Sequence, residues 1–279
     1  MAGTSRNDGR RSARLAAVVV TVALLAGCGG GTEPERFAEA SPRELYARAE
    51  RLLGDKRYER AAKAFEEVER QHPFAPEAVE AQLMAAYAYY QNADYDAAIA
   101  AARRFVELHP GHEDVPYALY LIGQSWYERI EIVERDQTAS REALRAFREL
   151  IRRFPDSEYA KDARLKIDLV LDHLAGKEMD VGRFYQQRKE YLAAVNRFRR
   201  VIEDYQTTSH VPEALYRLVE SYLALGLPEE ARKAAAVLGH NYPDSRWYRR
   251  AYALVTGGEL PPEDRPRSVW SRLADLWPF

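Results

Sequence analysis

The chain has 279 residues, 47% hydrophobic, 30% charged and 11% aromatic, with a formal charge of −2 at pH 7. That balance excludes a disordered polymer and leaves apolar area for one or two folded domains. One cysteine leaves no disulfide to form within the chain, and so small a net charge speaks against nucleic acid as a partner.

The N-terminus stands apart from the fold. Arg6, Arg10, Arg11 and Arg14 precede an apolar run from Leu15 to Ala26. Twelve or so residues are too few to cross a bilayer but suit a secretory signal peptide over residues 1–27. Its end, Leu24-Leu25-Ala26-Gly27-Cys28, resembles the bacterial lipobox. The resemblance implies cleavage before Cys28, which then carries N-acyl and S-diacylglycerol chains as a membrane anchor, and Gly29 in place of an aspartate implies sorting to the outer membrane. No other cofactor is expected. Residues 28–40, Gly-rich at their start, read as a flexible tether. Without the signal peptide the chain keeps 37 basic and 42 acidic residues, a formal charge of −5.

From Ser41 the chain reads as helices. Ser41, Pro42 and Glu44 form an N-cap, a first-turn proline and a capping-box acid. Residues 79–110 hold the pattern most plainly: Leu83, Ala86, Tyr87 and Tyr90, then Ala98, Ala102 and Phe105, recur three and four apart, the spacing of amphipathic helix. Gln91 to Asp94 divides the stretch in two, and Pro110 ends it. The same register returns as Ala61/Phe65/Val68/Pro73, Ala98/Ala102/Phe105/Pro110, Ala143/Phe147/Leu150/Pro155, Ala194/Phe198/Val201/Gln206 and Ala231/Ala235/Leu238/Pro243. Gly123 before Trp126 and Gly182 before Tyr185 mark the first helices. The pattern resembles the tetratricopeptide (TPR) repeat. The expected fold is all-α, a TPR-like α-solenoid of five helical hairpins with an extra spacer helix and a C-terminal capping helix.

Counting repeat positions along the first helices places Tyr46, Tyr87, Tyr90, Tyr117, Tyr120, Gln124 and Tyr127 on one inner face. Tyrosine offers apolar area and a polar tip at low entropic cost, so these residues read as a peptide-binding groove. The plain alternative is that they are ordinary helix packing. Residues 128–142 hold an inserted loop. Residues 158–174 read as a spacer helix, with the fourth repeat beginning near Ala175. A fifth repeat runs from Pro212 to Pro243, and a capping helix runs from Arg246 to Val255. The tail from 257 to 279 places Trp270, Leu273 and Trp277 on one helical face, either folded back on the last repeat or offered to another subunit. The expected parts are therefore 1–27, 28–40, repeats 1–3 over 41–157, the spacer and repeats 4–5 over 158–256, and the tail.

Pro73-Phe74, Tyr87-Ala88-Tyr89-Tyr90-Gln91-Asn92-Ala93-Asp94 and Ala194-Val195-Asn196-Arg197 make the resemblance narrower. They resemble the BamD family, the lipoprotein subunit of the outer-membrane β-barrel assembly (BAM) machinery. The resemblance implies a scaffold on the periplasmic face of the outer membrane. Its N-terminal repeats would receive C-terminal targeting segments of unfolded barrel proteins. Its C-terminal repeats would dock on POTRA domains of the barrel-forming subunit, beside other BAM lipoproteins. Arg197, a planar guanidinium suited to a partner's carboxylate, is the candidate docking residue; a solvated helix arginine is the alternative. A second reading of the whole chain is an envelope TPR adaptor lipoprotein for cell-wall enzymes. Six scattered histidines with no HExxH motif and no nucleophile elbow support neither a metal site nor an enzyme.

Overall fold

The computed structural model describes residues 40–133 and 135–258. Cys28, the expected signal peptide, most of the expected tether and the tail from residue 259 lie outside the described residues. Within them run eleven helices in chain order: α1 Pro42–Gly54, α2 Tyr58–Gln71, α3 Pro76–Gln91, α4 Tyr95–Leu108, α5 Val115–Tyr127, α6 Thr138–Arg153, α7 Glu158–Gln187, α8 Tyr191–Asp204, α9 Val211–Ala224, α10 Pro228–Asn241 and α11 Arg246–Thr256. Each packs against the next in sequence, as short connections between antiparallel helices require. No strand is present among the described residues.

The repeated register explains the packing. All fifteen of its small and large residues, from Ala61 to Leu238, are exposed by 5% or less, while Pro73, Pro110, Pro155, Gln206 and Pro243 stand exposed at the turns between helices. Proline ends a helix because it lacks the N–H that would continue the ladder. Gln206 reaches the same end differently, its amide donating to the Glu203 carbonyl at 3.4 Å. Helix starts are set by Pro76, Pro116, Pro212 and Pro228 in the first turn and by the side chains of Asp94, Ser157 and Ser245, which accept from Ala97, Ala160 and Trp247 N–H groups.

Within the first helices, Gly123 and Gly182 are where ring meets backbone. A Cβ on Gly123 would lie 2.5 Å from Phe147, and one on Gly182 would lie 2.4 Å from Phe198. Both rings are fully buried, so the glycines are set by close approach and not by a turn.

The spacer segment and the first helix of the fourth hairpin are one element. α7 runs unbroken for 30 residues, because the apolar spacing of Ala163, Val170, Leu174, Ala175, Met179 and Gly182 never leaves the helical period. Side-chain packing changes partner inside this helix. Leu83 through Leu174 belong to one buried cluster and Ala175 through Ala251 to a second, so the first half of α7 packs with the hairpins before it. The inserted connection spans residues 128–137. Buried Gln137 ties it by donating to the carbonyls of Val133 at 3.1 Å and Arg135 at 3.0 Å.

Candidate functional site

Tyrosines from three successive first helices meet on one face. α5 contributes Tyr117 and Tyr120, both of which contact Tyr159 at the start of α7, with ring centroids 5.3 and 5.5 Å apart. Tyr87 and Tyr90 of α3 are close enough to Tyr117 to disfavour its ionised form. The Tyr90 hydroxyl sits by Gln124 and Glu128, 3.4 Å from the Glu128 carboxylate, and Gln124 donates to that carboxylate at 2.6 Å. Tyr120 donates to Asp162 at 2.7 Å. The ammonium of Lys166 pairs with Asp162 at 3.1 Å and lies 5.3 Å from the centre of the Tyr127 ring. These rings are half-buried and pack against the cluster beneath them, so each supplies core contact and retains exposed area.

Burial, with nearby phenols and carboxylates, raises the Tyr117 and Tyr120 hydroxyls above the ordinary phenol range, while the bond from Tyr120 holds Asp162 below the usual carboxylate range. At neutral pH the face therefore presents neutral phenols, with Tyr120 backed by the ionised Asp162 carboxylate. Gln124 Oε1 is buried beneath this face and has no hydrogen-bond partner among the described residues.

Tyr46 is set apart from this group. It packs edge-on to Phe65, 5.4 Å between centroids, and burial with the charges of Glu80 and Glu50 pushes its hydroxyl up to about 12. Of the seven sequence-chosen residues, six share the α3, α5 and α7 face, and Tyr46 stands on α1 before it.

Arg197 lies on α8, half-buried, and donates to Glu178 Oε2 at 3.1 Å, while Arg200 donates to the other oxygen at 3.0 Å. One carboxylate thus holds two guanidinium groups. They border a cavity of about 760 Å³ that also takes in Arg135, Arg141, Lys177 and Asp204, joining the inserted connection to α7 and α8.

Sequence reasoning missed Tyr159 and its counterpart at the other end, Trp247. Two strings carry the signal. Val115-Pro116-Tyr117-Ala118-Leu119-Tyr120 matches Val211-Pro212-Glu213-Ala214-Leu215-Tyr216, and Pro155-Asp156-Ser157-Glu158-Tyr159 matches Pro243-Asp244-Ser245-Arg246-Trp247. Tyr120 meets Tyr159 as Tyr216 meets Trp247, the latter pair 5.2 Å apart. Around Tyr216 the neighbours are charged: Arg217 bridges Glu213 and Glu220, and Arg183 reaches Glu213.

The sequence matches the family described as YfiO, outer membrane lipoprotein, over residues 38–238. The chain is 47% identical to the outer membrane protein assembly factor BamD of Caulobacter vibrioides, covering 93% of this chain and 85% of that one. It belongs to the BamD family. The BamD of Rickettsia prowazekii is 45% identical over 86% of this chain and 96% of its own, and that of Neisseria meningitidis is 40% identical over 76% and 83%. Among solved structures, a thermophilic TPR protein of Thermus thermophilus is 20% identical, with a TM-score of 0.36 over 77% of this chain and 98% of that one. BamD relatives are named for assembly and not for catalysis, in agreement with a scaffold reading. No helix among the described residues is long and apolar enough to cross a membrane.

Proposed function

We propose that this chain is the lipid-anchored scaffold subunit of the outer-membrane β-barrel assembly complex. Cys28 carries the anchor at the periplasmic face of the outer membrane. The tyrosine face of α3, α5 and α7 receives C-terminal targeting segments of unfolded barrel proteins. The Arg197 flank docks on POTRA domains of the barrel-forming subunit, beside the other lipoproteins of the complex.

The observation that carries the client-binding reading is the group of tyrosines at Tyr87, Tyr90, Tyr117, Tyr120 and Tyr159. An aromatic side chain at a peptide terminus gains ring contacts there. Arg197 supports docking because its carboxylate partner is shared with Arg200, so a second carboxylate from a partner relieves two cations competing for one anion.

Peptides from barrel C-termini, titrated calorimetrically into the mature protein, bind and compete with one another. The double variant Tyr90→Ala/Tyr120→Ala weakens them about tenfold or more, as loss of a hot spot does. Affinity unchanged in that variant sinks the client-receptor reading. Arg197→Glu reduces co-purification of the POTRA-bearing subunit and leaves peptide affinity intact.

A further inference from the structure

Two leucines stand exposed where α7 passes the inserted connection. Leu165 is 62% and Leu169 58% exposed, four apart and so on one side of the helix. A single exposed leucine is ordinary on any protein surface. This pair is not isolated, because Leu169 forms one wall of a cavity of about 550 Å³ whose other apolar walls are Tyr127, Ile130 and Val133. The wall from the inserted connection is fixed in place. The Val133 carbonyl accepts from buried Gln137 at 3.1 Å, and the Val133 side chain comes within 3.7 Å of where a Cβ on Gly176 would lie. The pocket thus exists before anything enters it.

The cavity continues the tyrosine face. Tyr127 and Glu128 belong to both: Lys166 lies over the Tyr127 ring and pairs with the Asp162 that accepts from Tyr120, while Glu128 accepts from Tyr90 and Gln124. Little helix separates the two places. From Asp162 to Leu169 is seven residues of α7, about 10 Å, and from Tyr159 it is ten, about 15 Å. Four residues of extended chain cover about 13 Å and return the side chain to the same face. The cavity rim is acidic, with Glu128, Glu131 and Asp172. Arg135 offsets Glu131 at 2.9 Å, and His210 lies 3.5 Å from Asp172.

Given the client-binding function, on which this rests, we propose that the cavity is a second subsite of the client groove. It takes an apolar side chain four positions before the terminal aromatic residue of the bound segment. The aromatic end lies among Tyr117, Tyr120 and Tyr159. The segment then runs in extended form along α5 and α7 with alternate side chains facing the protein, and the upstream apolar residue enters between Leu169 and the wall of Ile130 and Val133. That contact removes apolar area from water on both partners. A carboxylate at the same position meets Glu128, Glu131 and Asp172 and is rejected by like charge. The groove therefore selects segments with one apolar face, the alternation of a half-buried strand, over segments that carry an aromatic end alone.

The test uses the mature full-length protein and fluorescein-labelled decapeptides read by fluorescence anisotropy. Each is serine and threonine apart from a C-terminal phenylalanine and, four positions before it, leucine, serine or aspartate. The leucine peptide binds about tenfold more tightly than the serine peptide, as burial of one leucine side chain brings, and the aspartate peptide binds weakest. Leu169→Lys, at an exposed position where the circular dichroism melt stays unchanged, reverses the order, so that the aspartate peptide exceeds the leucine one. Tyr90→Ala/Tyr120→Ala weakens all three and keeps their order. Equal affinities of the three peptides for the unaltered protein, or an order that Leu169→Lys leaves as it was, overturns the second subsite while the client-receptor reading stands. No binding by any of the three overturns it too, and barrel C-terminal peptides titrated alongside tell whether the client-receptor reading falls with it.

Discussion

At the scale of single residues, two kinds of side chain decide what this molecule tolerates. Gly123 is held by the Phe147 ring, with 2.5 Å to a hypothetical Cβ, so Gly123→Ala overpacks the site and costs about 1–3 kcal/mol. Phe147→Leu in the same chain recovers part of that cost, and urea midpoints of the two singles and the double give the non-additivity that a shared contact requires. Tyrosines act through pH. Tyr46 has a folded value near 12 against an ordinary value of 10.0. A group raised on folding contributes fully below its unfolded value and loses that contribution as pH climbs through the folded one. Stability therefore falls between pH 10 and 12, and Tyr46→Phe flattens the fall, read from thermal melts across that range beside the 295 nm phenolate absorbance. The tyrosine face itself was legible from spacing, since residues three and four apart on the first helices share a side. Tyr159 was not, because it opens a helix whose later part sets the register, and its string resembles a turn more than a groove.

At the scale of elements, the informative case is α7. Sequence reading divides it near Ala175, where the fourth repeat is expected to begin and the spacer helix to end. Repeat counting places helix starts by analogy, whereas continuity depends on whether anything breaks the ladder, and a lone glycine does not. Gly176 is buried in mid-helix, and a Cβ there would meet His210 at 3.4 Å and Val133 at 3.7 Å, ordinary contact distances. Gly176→Ala accordingly stabilises the protein by about 0.5–1 kcal/mol, seen as a rise in melting temperature. Gly176→Pro removes a ladder bond and costs about 3 kcal/mol or more. Opposite signs at one position distinguish a continuous helix from a hinge, at which proline is tolerated. The inserted connection was legible as extra length between Tyr127 and Ala143, but its tie through buried Gln137 depends on backbone carbonyls that no sequence pattern marks.

At the scale of the whole molecule, the described chain is a row of hairpins in which each touches mainly its neighbours, and stability in such a row is a sum of local terms. Its two buried clusters meet within α7, at Leu174 and Ala175. The connection across that seam is the helix itself, with a few side contacts such as Ser209 to Asp172, 2.8 Å between hydroxyl and carboxylate. Damage on one side should therefore stay there. Phe198 is fully buried in the second cluster, and Phe198→Ala costs about 3–5 kcal/mol, a large share of what a domain of this size holds. Hydrogen exchange of this variant shows faster exchange in α8 to α10 and in the last turns of α7, while α3 to α6 keep the protection of the unaltered chain. On the proposed function, peptide affinity at the tyrosine face is retained and co-purification of the docking partner is lost. Phe147→Ala reverses the pattern, opening α3 to α6 and abolishing peptide binding. Equal loss of protection throughout, from either variant, means that the hairpins unfold as one cooperative unit and that α7 transmits the loss from one cluster to the other.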